Sequence, residues 1–162
     1  MRVPSAALAL VVCVAAGCDS FSPSDALVDS ADVRTDRSAL AAPDGWSVVA
    51  AVSDGKAYRF PRDVPFSVTF AADGKISGRV SVNVFGANGY YVAAADGSFR
   101  ADPGYQTLVG GSDRDNELSD VFLAELGEAT RFEIVGAALQ VRSADGDGVR
   151  LESNGFRALA DD

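Results

Sequence analysis

"FSVTFAADGKISGRVSVNVF" (residues 66–85) decides how this chain is read. Phe66, Val68 and Phe70 alternate with polar residues, so one face is apolar and the other wet. Asp73-Gly74 then offers a tight reversal, because glycine accepts positive φ without steric cost. Beyond it the alternation resumes. Ile76, Gly78, Val80, Val82 and Val84 share one face, and Ser77, Arg79, Ser81 and Asn83 the other. The expectation is two antiparallel strands, the second unbroken from 76 to 84. The "GANG" of residues 86–89 then ends it, with Asn83 bonding backbone where the strand bends.

The same pattern extends in both directions. Strand-like runs cover 46–52, 57–60, 90–95 and 98–101. "RFEIVG", "LQVRS" and "VRLES" follow near the end, each with one apolar and one wet face. Asp-Gly pairs recur at 54–55, 96–97, 145–146 and 147–148. One segment departs from period two. "SDRDNELSDVFLAELGE" sets Leu118, Val121, Phe122 and Leu126 at helical spacing. Ser112 or Asp113 suits its start, and Gly127 its end. The expected fold is therefore mainly β: about eight antiparallel strands curling into a small barrel, with one α-helix inserted before the last three. Closure of such a meander removes exposed edges.

The N-terminus reads as an address. Arg2, an apolar run from Ala6 to Ala16 and the small residues Ala15, Ala16 and Gly17 precede Cys18. The run is shorter than the roughly 20 residues a spanning helix needs. It fits a secretory signal, and the approach to Cys18 looks like a bacterial lipobox. That implies a signal peptide over 1–17 and diacylglycerol on the Cys18 sulfur; plain secretion with nearby cleavage is the alternative. Each buried methylene contributes about 0.8 kcal/mol, so two or more chains anchor stably. Residues 18–44 are rich in Ser, Asp and Ala and read as a flexible tether with roughly 25–30 Å of reach. The domain follows over 45–160. The expected location is the bacterial cell envelope, facing the periplasm, with either membrane open.

Composition removes several chemistries. The 162 residues carry 14 basic and 23 acidic side chains, a net charge of −9, and no basic cluster stands out. Nucleic acid and anionic lipid are poor partners for such a body. There is no histidine, and both cysteines lie near the N-terminus. The folded part thus has neither the commonest base near neutral pH nor a thiolate. Asp and Glu are abundant, but none sits in an apolar setting that would mark a raised pKa. Asp113, Asp115, Asn116 and Glu117 resemble a calcium loop only loosely: the glycine and the distant glutamate are out of register. A helix N-terminus explains these acids without a metal. No cofactor or metal site, no enzymatic activity and a monomer are expected. Tyr90, Tyr91 and Tyr105 form either a recognition patch or core plugs.

From Trp46 to about Asn154 the chain resembles the META domain family, the HslJ-like proteins of bacterial envelopes. The likeness rests on Trp46, "SVTFAADGKISG", "VNVFGANGYY", Thr107, the helix residues Glu117, Phe122 and Leu126, and "FEIVGAALQV". The family commonly has cysteines where this chain has Val82 and Gly111, and their joint absence suits residues that normally act as a pair. The resemblance implies a lipocalin-like barrel with one helix and a link to envelope stress. It settles no reaction or ligand. Three functions follow as expectations: a stress-related binding or scaffolding module, a periplasmic inhibitor of a hydrolase, and a carrier of small apolar ligands. The loop expected to meet a partner or ligand contains Asn83, Phe85, Asn88, Tyr90 and Tyr91.

Overall fold

The computed structural model describes residues 21–27 and 33–154. Cys18 and the signal peptide lie outside them. The fold is mainly β and antiparallel, with one long helix. The strands are β1 (Val33–Arg34), β2 (Trp46–Ser53), β3 (Lys56–Arg59), β4 (Phe66–Phe70), β5 (Ile76–Val80), β6 (Asn83–Ala87), β7 (Tyr90–Ala93), β8 (Phe99–Asp102), β9 (Tyr105–Gln106), β10 (Arg131–Val135), β11 (Ala138–Arg142) and β12 (Gly148–Ser153). The helices are α1 (Pro23–Ala26) and α2 (Asp113–Glu128). The long helix precedes the last three strands, as expected.

The main sheet runs β1-β10-β11-β12-β2-β4-β5-β6-β9, with β3 also paired to β2. The β7–β8 hairpin forms a separate two-stranded ladder. It is stitched to β5 by a Lys75–Tyr90 bridge and to β10 by a Ser98–Arg131 bridge. The Tyr91 amide also donates to the Gly74 carbonyl at 2.8 Å, and Phe99 to Thr130 at 2.8 Å. Among the described residues the ladder does not close continuously on itself.

The register of 76–85 differs from the expected single strand. Ser81 takes φ 57°, and the chain reverses there. β5 and β6 then pair as a hairpin, with Val80 opposite Asn83 and Gly78 opposite Phe85. The turn switches faces, so Asn83 and Phe85 point inward while Val82 and Val84 are about half exposed. A period of two cannot reveal this, because a one-residue change in phase moves every side chain to the other face.

Four of the five Asp-Gly pairs form turns, of two types, while Gly148 of the fifth opens β12 instead. At 54–55 both residues have positive φ, 51° and 68°, and Ser53 faces Lys56, giving a two-residue hairpin. "AADGK", "AADGS" and "SADGD" instead close three-residue loops. In each, the glycine amide donates to the carbonyl three residues back: Gly74 to Ala71, Gly97 to Ala94 and Gly146 to Ser143.

Ser112 caps α2 by accepting from the Asp115 amide at 3.1 Å. The helix runs past Gly127 to Glu128, so that glycine is not its terminator. Leu118, Phe122 and Leu126 are fully buried, and Val121 is half-buried. Phe122 meets Phe85 at 5.8 Å and Phe60 at 6.5 Å, edge to face. Phe70, Phe132, Ile76, Leu139 and Leu151 fill the centre beside them, each under 2 % exposed.

The tether expectation does not hold for 33–44. β1 pairs with β10, and a 3-10 turn over Arg37–Leu40 buries Leu40 completely. Trp46 donates its indole N–H to the Leu40 carbonyl at 2.8 Å. Ala26 and Leu27 are buried against Ala50 and Val52 on the outer face of β2. A strap with few apolar residues docks here because a preformed sheet supplies the other half of each contact.

Candidate functional site

The residues of the expected partner loop part company in the structure. Asn83 is 8 % exposed. Its amide donates to the Val109 carbonyl at 2.9 Å and accepts from the Val109 amide at 2.7 Å. The Thr107 hydroxyl also donates to Asn83 Oδ1 at 3.0 Å, and Thr107 Oγ1 accepts from the Val84 amide at 3.1 Å. The side chain thus replaces a backbone peptide, as a strand neighbour would. Such satisfaction of a buried amide stabilises the fold and leaves little for a ligand. Asn83 latches the 107–109 segment to β6. This differs from the expected bend at the end of a strand.

Phe85 is a core residue, 4 % exposed. Tyr91 is buried, and its hydroxyl donates to the Ala71 carbonyl at 2.8 Å, so it plugs the core. Burial pushes its phenol above the ordinary tyrosine value. Asn88 and Tyr90 are exposed; Asn88 has φ 63° in the tight turn. That turn lies back on the molecule, since a Cβ on Gly89 would come 2.9 Å from the Pro103 carbonyl oxygen. Of the three tyrosines, Tyr105 is the most exposed, at 74 %.

Sequence reasoning missed two features. The first is an apolar strip. Val82, Val84, Tyr105, Leu108 and Val109 are all exposed, Leu108 by 89 %. They are held together by the Asn83 latch and by the Thr107–Val84 hydrogen bonds. The flip at Ser81 creates this strip by turning two valines outward. The same region brings 82 and 111 together: a Cβ on Gly111 would lie 3.8 Å from Val82 Cγ2.

The second is a gathering of arginines, where none was expected. Arg59, Arg62, Arg114 and Arg150 line one open groove of about 830 Å3 against the outer face of β2 and β3. They come from β3, the loop after it, α2 and β12. Only Arg59 and Arg62 are near one another in sequence.

One carboxyl also departs from expectation. Glu125 is 5 % exposed, and burial raises its pKa, with Asp147, Glu128 and Asp145 adding repulsion. The nearby Ser53 hydroxyl offsets part of that rise, and Oε2 has no hydrogen-bond partner. Among the described residues no group of three or more acids could hold a metal. The acids at the start of α2 sit in its first turn, where the helix dipole favours them.

No family model matches the chain, and no curated protein is similar to it. A solved structure is similar in fold, the NMR structure of a protein from Burkholderia xenovorans. The TM-score is 0.56 at 20 % identity, covering 79 % of this chain and 94 % of that one. This likeness concerns the fold alone.

Proposed function

We propose that the protein is a non-enzymatic, lipid-anchored envelope protein of META type, working as a stress-related binding or scaffolding module. The observation that carries the family reading is the contact between positions 82 and 111. Two cysteines that act as a pair there, by disulfide or by packing, must be neighbours, and a Cβ on Gly111 would lie 3.8 Å from Val82 Cγ2. The near-closure of the sheet through the β7–β8 hairpin suits a lipocalin-like barrel opened at its seams.

The binding role is supported by the exposed apolar side chains gathered on β6, β9 and the 107–109 segment, because exposed apolar surface of this kind marks interaction sites. Other functions draw less support. A hydrolase inhibitor built on "FGANGYY" needs a protruding loop, and this one folds back. A carrier needs a hollow interior, and the centre is occupied by phenylalanine and leucine side chains.

Two measurements test the reading. Cys18→Ser should move the protein out of the detergent phase on Triton partition; unchanged partition removes the lipid anchor. A photocrosslinking residue at Leu108 should trap an envelope protein that the same residue at Asp96 does not. Equal trapping at both positions removes the strip as a binding surface.

A further inference from the structure

The geometry points to the arginine groove as a binding site for phospholipid phosphate, seating the outer face of β2 and β3 on the membrane. This rests on the lipid-anchor reading.

Four arginines line the groove with two carboxylates, Asp25 and Glu152, and Arg114 is also paired with Glu117 at 3.4 Å, leaving one positive charge. In a chain of net −9, that is a local reversal of the field. The arginines are incompletely paired. Arg150 reaches Glu152 at 3.5 Å, yet its shielded Nε has no partner. Among the described residues no carboxylate lies in ion-pair range of Arg59 or Arg62. Arg59 rests on the Phe21 ring at 4.6 Å, which fixes its fork, and after the Ser22 hydrogen bonds its charge also helps hold the Asp25 carboxyl below the ordinary range. Strand pairing aligns Arg150 with Ala50 and Ala50 with Arg59, so two guanidinium groups flank a small residue on one face. Planar guanidinium groups bind phosphate in two-pronged fashion. Phe60 adds an aromatic wall.

The position of the groove selects the source of the phosphate. Phe21 lies three residues after Cys18. Three extended residues span at most about 10 Å. An acylated Cys18 therefore holds the groove at the level of the head groups, not at the end of a long tether.

The test uses the acylated full chain in phosphatidylcholine vesicles, with and without phosphatidylglycerol. Spin labels at Asp63→Cys and, separately, Asp96→Cys report proximity to nickel-chelating lipids. Label 63 should relax strongly and label 96 should not. Arg59→Glu with Arg62→Glu should abolish the difference while detergent partition persists, the docked population falling roughly fivefold per arginine lost. Partition kept without proximity at 63, or proximity indifferent to the charge reversals, overturns the groove proposal alone. Lost partition of the unaltered chain overturns the anchor as well. If free glycerol phosphate shifts the NMR signals of the groove while label 63 stays far from lipid, the ligand is soluble and membrane seating is overturned.

Discussion

Gly78 and Phe85 face each other across β5 and β6, and the Phe85 ring lies where a side chain at 78 would have to go. A Cβ on Gly78 would meet Phe85 Cε1 at 2.5 Å and the Ser67 carbonyl oxygen at 2.0 Å. The glycine lets the ring reach Phe122 on α2, tying the hairpin to the helix. Gly78→Ala should therefore cost more than about 2 kcal/mol through overpacking. Gly110→Ala, with nothing within 4 Å, should stay within about 0.5 kcal/mol. Urea denaturation compares them.

Asn83→Ala removes three hydrogen bonds and leaves the Val109 amide and carbonyl without their partner. The expected loss is about 2 kcal/mol, read by urea denaturation. Hydrogen exchange should speed up at Val84 and Val109 before the rest of the sheet. Uniform exchange would show that the latch does not act locally.

Positions 82 and 111, where the resemblance implies a cysteine pair, should accept a disulfide. Val82→Cys with Gly111→Cys should oxidise readily, seen as loss of thiol labelling. Closing a loop of this size should stabilise by about 3 kcal/mol. Persistent free thiols would show that the two positions are neighbours without disulfide geometry.

Glu125 gives a pH dependence of definite sign. Its folded-state pKa is raised by burial, so the folded protein holds this proton more tightly than the unfolded chain. Its contribution to stability is then greatest in acid and declines as pH rises from the ordinary carboxylate range through the raised value. Glu125→Gln should raise Tm by a few degrees near pH 7, and the gain should vanish near about pH 4. A gain that is constant with pH would show that titration of Glu125 is not its source.

Leu108→Ser should leave stability within about 0.5 kcal/mol, since the side chain is 89 % exposed. Partner capture through the strip should nevertheless fall. A large stability loss would mean that the residue packs rather than presents.

Much of the fold was legible. "FSVTF", "RFEIV" and "VRLES" carry a local period that predicts strands, and Leu118, Phe122 and Leu126 carry one that predicts a helix. The candidate site was not legible in the same way. Asn83 was visible as an oddity, but its partner lies 26 residues away. The four arginines are spread from 59 to 150; strand pairing aligns Arg59 and Arg150, and the loop after β3 and the helix α2 bring Arg62 and Arg114 beside them.

By itself the sequence determined the β character, the place of the long helix, the glycine turns and the lack of histidine and thiol chemistry in the domain. These depend on composition and on neighbours a few residues apart. Tertiary structure decided the reversal at Ser81, the inward turn of Asn83 and Phe85, the docking of residues 33–44 and the assembly of the arginine groove. Each of these is set by contacts between residues distant in the chain, whose free energy appears only once the sheet exists to supply the opposing surface.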